Sequence, residues 1–132
     1  MERLKQRLEM ARRALTTLSE LSDLAAPNDV ERDAAIQRFG YTFEAMWKAV
    51  QRHLYVHEGR AEGSPKGTIR ACREVGIMSD ADASAALAMA DDRNLTVHTH
   101  NEALAKALYA RLGGHARLLD RWLTAMSSVR SP

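Results

Sequence analysis

The sequence predicts an all-α protein, a bundle of helices running up and down beside one another. Apolar residues recur at spacings of three and four over most of the chain. Helix start and stop residues punctuate it at short intervals. No segment alternates apolar and polar residues with period two, so no sheet is expected. Helices joined by short loops pack as antiparallel neighbours, which makes the up-and-down arrangement.

The first helix carries Leu4, Leu8, Ala11, Leu15, Leu18 and Leu21 on one face, with Arg3, Lys5, Arg7, Arg12 and Arg13 largely off it. Ala26-Pro27-Asn28 ends that element. Asn28 with Glu31 three positions on reads as a capping box that opens the second helix. This helix runs to about His57 on a stripe of Ile36, Phe39, Phe43, Met46, Val50 and Leu54, with Glu44 and Lys48 as an i,i+4 pair off the stripe. After a polar loop, Ser64-Pro65 supplies an N-cap and a first-turn proline for a short third helix that reaches about Val75 and stops at Gly76.

Ser79 with Asp82 opens an alanine-rich fourth helix ending near Leu95. Thr99 and Glu102 have the spacing of another capping box, so the fifth helix is expected to start there, with Leu104, Leu108 and Leu112 inside. Gly113-Gly114 is expected to kink or interrupt it, since each glycine costs about 1 kcal/mol relative to alanine. Leu118, Leu119, Trp122, Leu123 and Met126 continue the apolar face.

At 132 residues the chain suits one domain, 1–132. Hydrophobic residues at 45% and charged residues at 27% are those of a globular protein, whereas the formal charge of +2 lacks the footprint of a dedicated nucleic-acid binder. The lone cysteine, Cys72, excludes an internal disulfide framework and a cysteine-rich zinc site, and reads as a small buried apolar group. The N-terminal residues lack the apolar core of a signal peptide, and the longest apolar run, 85–90, is far short of a membrane span. The expected location is the cytoplasm.

Chemistry concentrates in the segment Asp91-Asp92-Arg93-Asn94-Leu95-Thr96-Val97-His98-Thr99-His100-Asn101-Glu102. Arg93 offers a bidentate fork to a phosphate. His98, next to a helix N-terminus, can take a proton, and Asn94 can orient a ribose hydroxyl. On an unbroken helix Arg93 and His98 would lie about 140° apart. A helix start at Thr99 places them on two sides of a junction, where they can converge. The bland alternative pairs Arg93 with Asp91 or Asp92 and leaves His98 structural. His53 and His57 share a helix face, but no acidic or cysteine partner is spaced to complete a metal site, so they read as a solvated face and no metal is expected. The basic residues of the first helix likewise read as a wet face. No motif for a nucleotide cofactor or a nucleophilic serine appears, and no cofactor is expected.

Arg93-x4-His98 also matches the R-x4-6-H motif of the HEPN superfamily. Asp92-Arg93-Asn94-Leu95-Thr96-x-His98-Thr99 resembles the branch of nucleotidyltransferase substrate-binding proteins related to HepT toxins. Two further blocks agree in order: Ile36-Gln37-Arg38-Phe39-Gly40-Tyr41-Thr42-Phe43-Glu44 followed by Trp47-Lys48, and Ser64-Pro65-Lys66 with Ile69-Arg70-Ala71. The resemblance implies a four-helix up-and-down bundle core, with the short third helix as an extra element, and a homodimer. It implies a partner protein carrying a minimal nucleotidyltransferase, in a two-gene module of the toxin–antitoxin type. In toxin members two copies of the Arg and His meet in a dimer cleft and cleave RNA without metal. Carried over, Arg93, Asn94 and His98 would be catalytic, while Asp92, Thr99 and His100 would contact RNA or a nucleotide. His100 stands where toxin members often carry the tyrosine of H-x-Y that the transferase modifies with AMP, so that modification is not expected. The resemblance therefore implies a binding subunit of a nucleotidyltransferase, with a metal-independent ribonuclease toxin as the alternative.

Overall fold

A computed structural model describes residues 1–127; the last five positions of the expected domain lie outside the described residues. Five α-helices follow in order: α1 (Glu2–Ser19), α2 (Asp29–Glu58), α3 (Pro65–Glu74), α4 (Asp80–Leu95) and α5 (Glu102–Ser127). A single 3-10 turn, Thr96–His98, continues from α4, and no strand occurs among the described residues.

Cross-helix contacts give the directions. Arg38 Nη1 donates to Thr17 O at 2.7 Å, whereas His53 and His57 line one cleft together with Leu4 and Leu8, so α1 and α2 are antiparallel. Arg12 pairs with Asp120 at 2.7 Å and Tyr109 reaches Leu21, so α5 also opposes α1. Asp82 pairs with Arg121 and Asp92 with Arg111, so α4 opposes α5. Thus α1, α2, α4 and α5 run up, down, up and down. The short α3 packs against α2 and α4.

The starts follow from local chemistry. Asn28 Oδ1 accepts the Glu31 amide at 2.8 Å while Glu31 Oε1 accepts the Asn28 amide at 2.9 Å, the complete capping box. Ser64 and Ser79 cap α3 and α4 through the amides of Gly67 and Asp82, each at 3.1 Å. Gly76 ends the α3 turn in the left-handed region, at φ 83°.

Several expectations need correction. First, α1 stops at Ser19 rather than reaching Ala26. The Tyr109 hydroxyl donates to Leu21 O and accepts the Leu24 amide, satisfying backbone groups that a longer helix would have satisfied itself. Second, Thr99 does not cap α5; Asn101 Oδ1 accepts the Leu104 amide at 3.0 Å. The 3-10 turn takes up the chain that the Thr99 reading assigned to the helix start. Third, Gly113 and Gly114 do not break α5, which is continuous past both. Gly113 is buried where the α1–α2 connection crosses α5, and a Cβ there would collide with Asp23 Oδ1. Fourth, Glu44 does not pair with Lys48; its Oε2 accepts the Trp47 indole N–H at 3.0 Å.

The stripes meet in one core built on Phe39, Phe43, Met46, Leu108, Leu112 and Trp122, with Cys72 sealed inside it. Burial pushes the Cys72 thiol up to about 11. His53 is not on a solvated face either. It is 2% exposed, its Nδ1 has no hydrogen-bond partner among the described residues, and its ring lies 4.7 Å from that of His57. It borders a cleft that the N-terminal turns of α1 and the end of α5 also line, which the α2 sequence alone could not reveal.

Candidate functional site

The segment singled out in the sequence begins in the last turn of α4, where two consecutive residues are put to different uses. Asp92 is buried. Its carboxylate accepts Arg111 Nε and Nη2, each at 2.8 Å, and lies 2.6 Å from His115 Nε2. The His115 ring in turn stacks on Phe39 at 5.2 Å. Burial alone would push the Asp92 carboxyl up, but the hydrogen bonds from Arg111 and His115 outweigh it and hold the group below its usual range. Asp91 is paired with Lys66 at 2.6 Å.

Arg93, about 100° further round the helix, is therefore left without either acidic neighbour. Among the described residues it has no carboxylate within ion-pair distance, and its Nε is sealed with no hydrogen-bond partner. Its side chain lies against α2 at Gly40, where a Cβ would sit 3.8 Å from Nε. The bland alternative, pairing of Arg93 with Asp91 or Asp92, is not what the chain does.

Arg93 forms the shared wall of two clefts. One, about 410 Å³, is bounded by Phe43, Glu44, Ser64, Pro65, Lys66, Ala90 and Asn94. The other, about 550 Å³, is bounded by Gln37, Gly40, Tyr41, Glu44, Thr96 and Thr99 among others. Thr96 Oγ1 donates to Arg93 O at 2.8 Å, which locks the 3-10 turn onto the end of α4.

The site residues are thus only partly assembled within one chain. Arg93 and Asn94 share the first cleft, and Arg93 and Thr99 share the second. His98 and His100 are exposed, lie with their rings 6.4 Å apart, and border neither cleft. Asp92 faces Arg111 and His115 rather than Arg93, so its carboxylate has no free edge for a substrate. Sequence reasoning missed Glu44, Lys66 and Gly40 as neighbours of Arg93. The Arg111/His115 spacing of four on α5 was a visible signal for one shared carboxylate partner. Among the described residues no group of three or more His, Cys, Asp or Glu side chains is arranged to hold a metal ion. No helix among them is long and apolar enough to cross a membrane.

Chemically, an unpaired guanidinium at the junction of two clefts is suited to an anion with two oxygens to offer, such as a phosphate. Fold and site together define an all-helical bundle protein that presents such an arginine at the end of its fourth helix. Residues 6–128 match the family described as nucleotidyltransferase substrate binding protein like, and the chain belongs to that family. It is similar to a protein of Thermus thermophilus known from a crystal structure, at 56% identity over 88% of this chain and 98% of that one, with a TM-score of 0.87. A Haemophilus influenzae protein, HI0074, whose structure is described as revealing the fold of a substrate binding domain of a nucleotidyltransferase, shares the fold. It has 21% identity over 96% of this chain and 98% of that one, with a TM-score of 0.63. No curated protein matches.

Proposed function

We propose that this protein is the helical binding subunit of a two-component nucleotidyltransferase, joined by a second chain that carries the minimal transferase domain. The observation that carries the reading is Arg93: a guanidinium left unpaired beside two carboxylates, each of which has another partner. Family membership supports the transferase as the partner. In this reading Arg93 grips a substrate phosphate and Asn94, in the same cleft, contacts the adjoining sugar. Co-expression with a minimal nucleotidyltransferase chain from the same source, followed by size-exclusion chromatography, tests the assembly. A stable complex supports the reading, and separate elution of the two chains removes it.

A second reading has its own observation. His98 is exposed, five residues beyond Arg93, and outside both Arg93 clefts. A second copy of the chain brings an Arg93 to it if the two junctions face one another. Tyr41 and Val97, 45% and 71% exposed beside the Arg93 cleft, offer apolar surface for that contact. Such a homodimer would act as a HEPN ribonuclease, the toxin half of a toxin–antitoxin pair. His98 takes the proton of a ribose 2′-hydroxyl, the oxygen attacks phosphorus, and Arg93 stabilises the charge on the phosphorane. The 5′-oxygen departs with the proton that His98 hands back, and a 2′,3′-cyclic phosphate remains. Wild-type protein should then cleave RNA in EDTA while folded His98→Ala does not. Equal activity of the two, or no cleavage by either, removes this reading and leaves the binding subunit. Thr99 and His100 are assigned to substrate contact in this arrangement, and the cytoplasm is the expected location.

A further inference from the structure

Near the C-terminal end of α2, about two to three turns beyond the stretch that Arg93 lies against, the structure gathers charge that the net value of +2 conceals. We propose that Arg3, Arg7 and Arg52 form a phosphate-binding hollow for single-stranded nucleic acid, with Tyr55 as the platform on which a base stacks.

These four residues line one open hollow of about 190 Å³ between the start of α1 and the last turns of α2. Arg3 and Arg7 stand on successive turns of α1, about 6 Å apart along its axis. Arg3 lies in the first turn, where the helix itself contributes partial positive charge. Among the described residues none of the three arginines has a carboxylate within ion-pair distance, although Arg12, Arg32, Arg38, Arg60, Arg111, Arg117 and Arg121 all have one. The carboxylate bordering the hollow, Glu62, pairs with Arg60. The Arg52 Nε is sealed with no partner.

The tyrosine decides which polyanion fits. Arg52 lies over the Tyr55 ring, 5.2 Å from its centroid, and the residue remains 57% exposed. A run of acidic residues has carboxylates for the arginines but no aromatic ring repeated beside each charge to stack on the tyrosine. A nucleic acid strand has both, and stacking on an exposed aromatic beside guanidinium groups is the usual way an unpaired strand is held without sequence preference. At about 190 Å³ the hollow is small and partly open to solvent, which suits a strand passing over it better than a free nucleotide enclosed within it. This inference involves neither Arg93 nor a transferase.

The test is fluorescence anisotropy of the full chain with a labelled single-stranded DNA of about 12 nucleotides. Such a strand lacks the 2′-hydroxyl and cannot be cut by the route above. Arg3→Glu with Arg7→Glu should weaken binding at least about tenfold and reduce the salt slope of the binding constant by about two. Both positions are at the surface of α1, and circular dichroism checks the fold. Tyr55→Ala should weaken binding by roughly tenfold. Arg13→Glu, an equal charge change per site elsewhere on α1, should cost less than about threefold. The proposal is overturned if the wild type does not bind, if the double variant binds as the wild type does, or if Arg13→Glu loses as much per charge. It is also overturned if polyglutamate or ATP displaces the strand at equal phosphate or carboxylate concentration. Loss of binding in Arg93→Ala alone would move the nucleic-acid site to the α4 junction and overturn it too.

Discussion

Asp92 and Arg111 form a two-pronged ion pair, Nε to Oδ2 and Nη2 to Oδ1 both at 2.8 Å, that ties the last turn of α4 to the middle of α5. The next residue, Arg93, has no such tie among the described residues. The anchor and the free guanidinium are consecutive, so the position of Arg93 is set by a pair in which it takes no part.

Asp92→Asn should therefore lower the unfolding free energy by about 1–3 kcal/mol, because it leaves Arg111 and His115 beside a group that no longer carries charge. The Asp92 carboxyl is held below its usual range in the folded protein, so the unfolded chain takes up the proton first as pH falls. Its stabilisation is present above the unfolded value of about 3.9 and is lost as pH drops through the lower folded value. Urea midpoints measured downward from neutral pH should fall more shallowly below about pH 4 in Asp92→Asn than in the wild type.

His53 works in a different window. Burial, and then the neighbouring His57, hold its pKa below the ordinary value, so the folded protein resists protonation that the unfolded chain accepts. Stability is expected to fall as pH drops below about 6.5, through the folded value. His53→Leu removes a buried ring nitrogen that has no partner and should flatten this dependence. An unchanged slope between about pH 7 and 5 would assign the effect to another group.

Two adjacent glycines in α5 should respond differently to alanine. Nothing lies within 4 Å of a Cβ at Gly114, so Gly114→Ala should stabilise by up to about 1 kcal/mol through helix propensity. At Gly113 the new carbon would meet Asp23 Oδ1, and the carboxylate must swing away from Arg117. Gly113→Ala should gain less than Gly114→Ala in thermal melts.

The two candidate caps of α5 can be separated in the same way. Asn101→Ala should cost about 1 kcal/mol, since it frees the Leu104 amide. Thr99→Ala should stay within about 0.5 kcal/mol. The reverse order would restore the Thr99 start.

Most of the fold was legible because its signals are local. Asn28 with Glu31, Ser64 before Pro65, and Ser79 before Asp82 each fix a helix start within four residues, and each does so in the structure. The errors have two causes. Thr99 satisfies the spacing of a cap, but whether the chain has turned by that point depends on the 3-10 turn locked by Thr96 onto Arg93. Glycines at 113 and 114 disfavour a helix locally, and tertiary burial of α5 overrides them. For the site, residue types pointed to Arg93 and Asn94, whereas the distribution of partners did not show. Asp92 and Arg111 are 19 positions apart, and Lys66 and Asp91 are 25 apart. Only folding reveals which arginine is spoken for.

Cys72, fully enclosed and with its thiol pushed up to about 11, leaves the protein blank to maleimide and other thiol reagents at neutral pH. A cysteine introduced at Val97, 71% exposed beside the Arg93 cleft, would then be the sole attachment point for a dye or spin label. The unaltered chain thus supplies its own zero-background reference for mapping what docks at that junction.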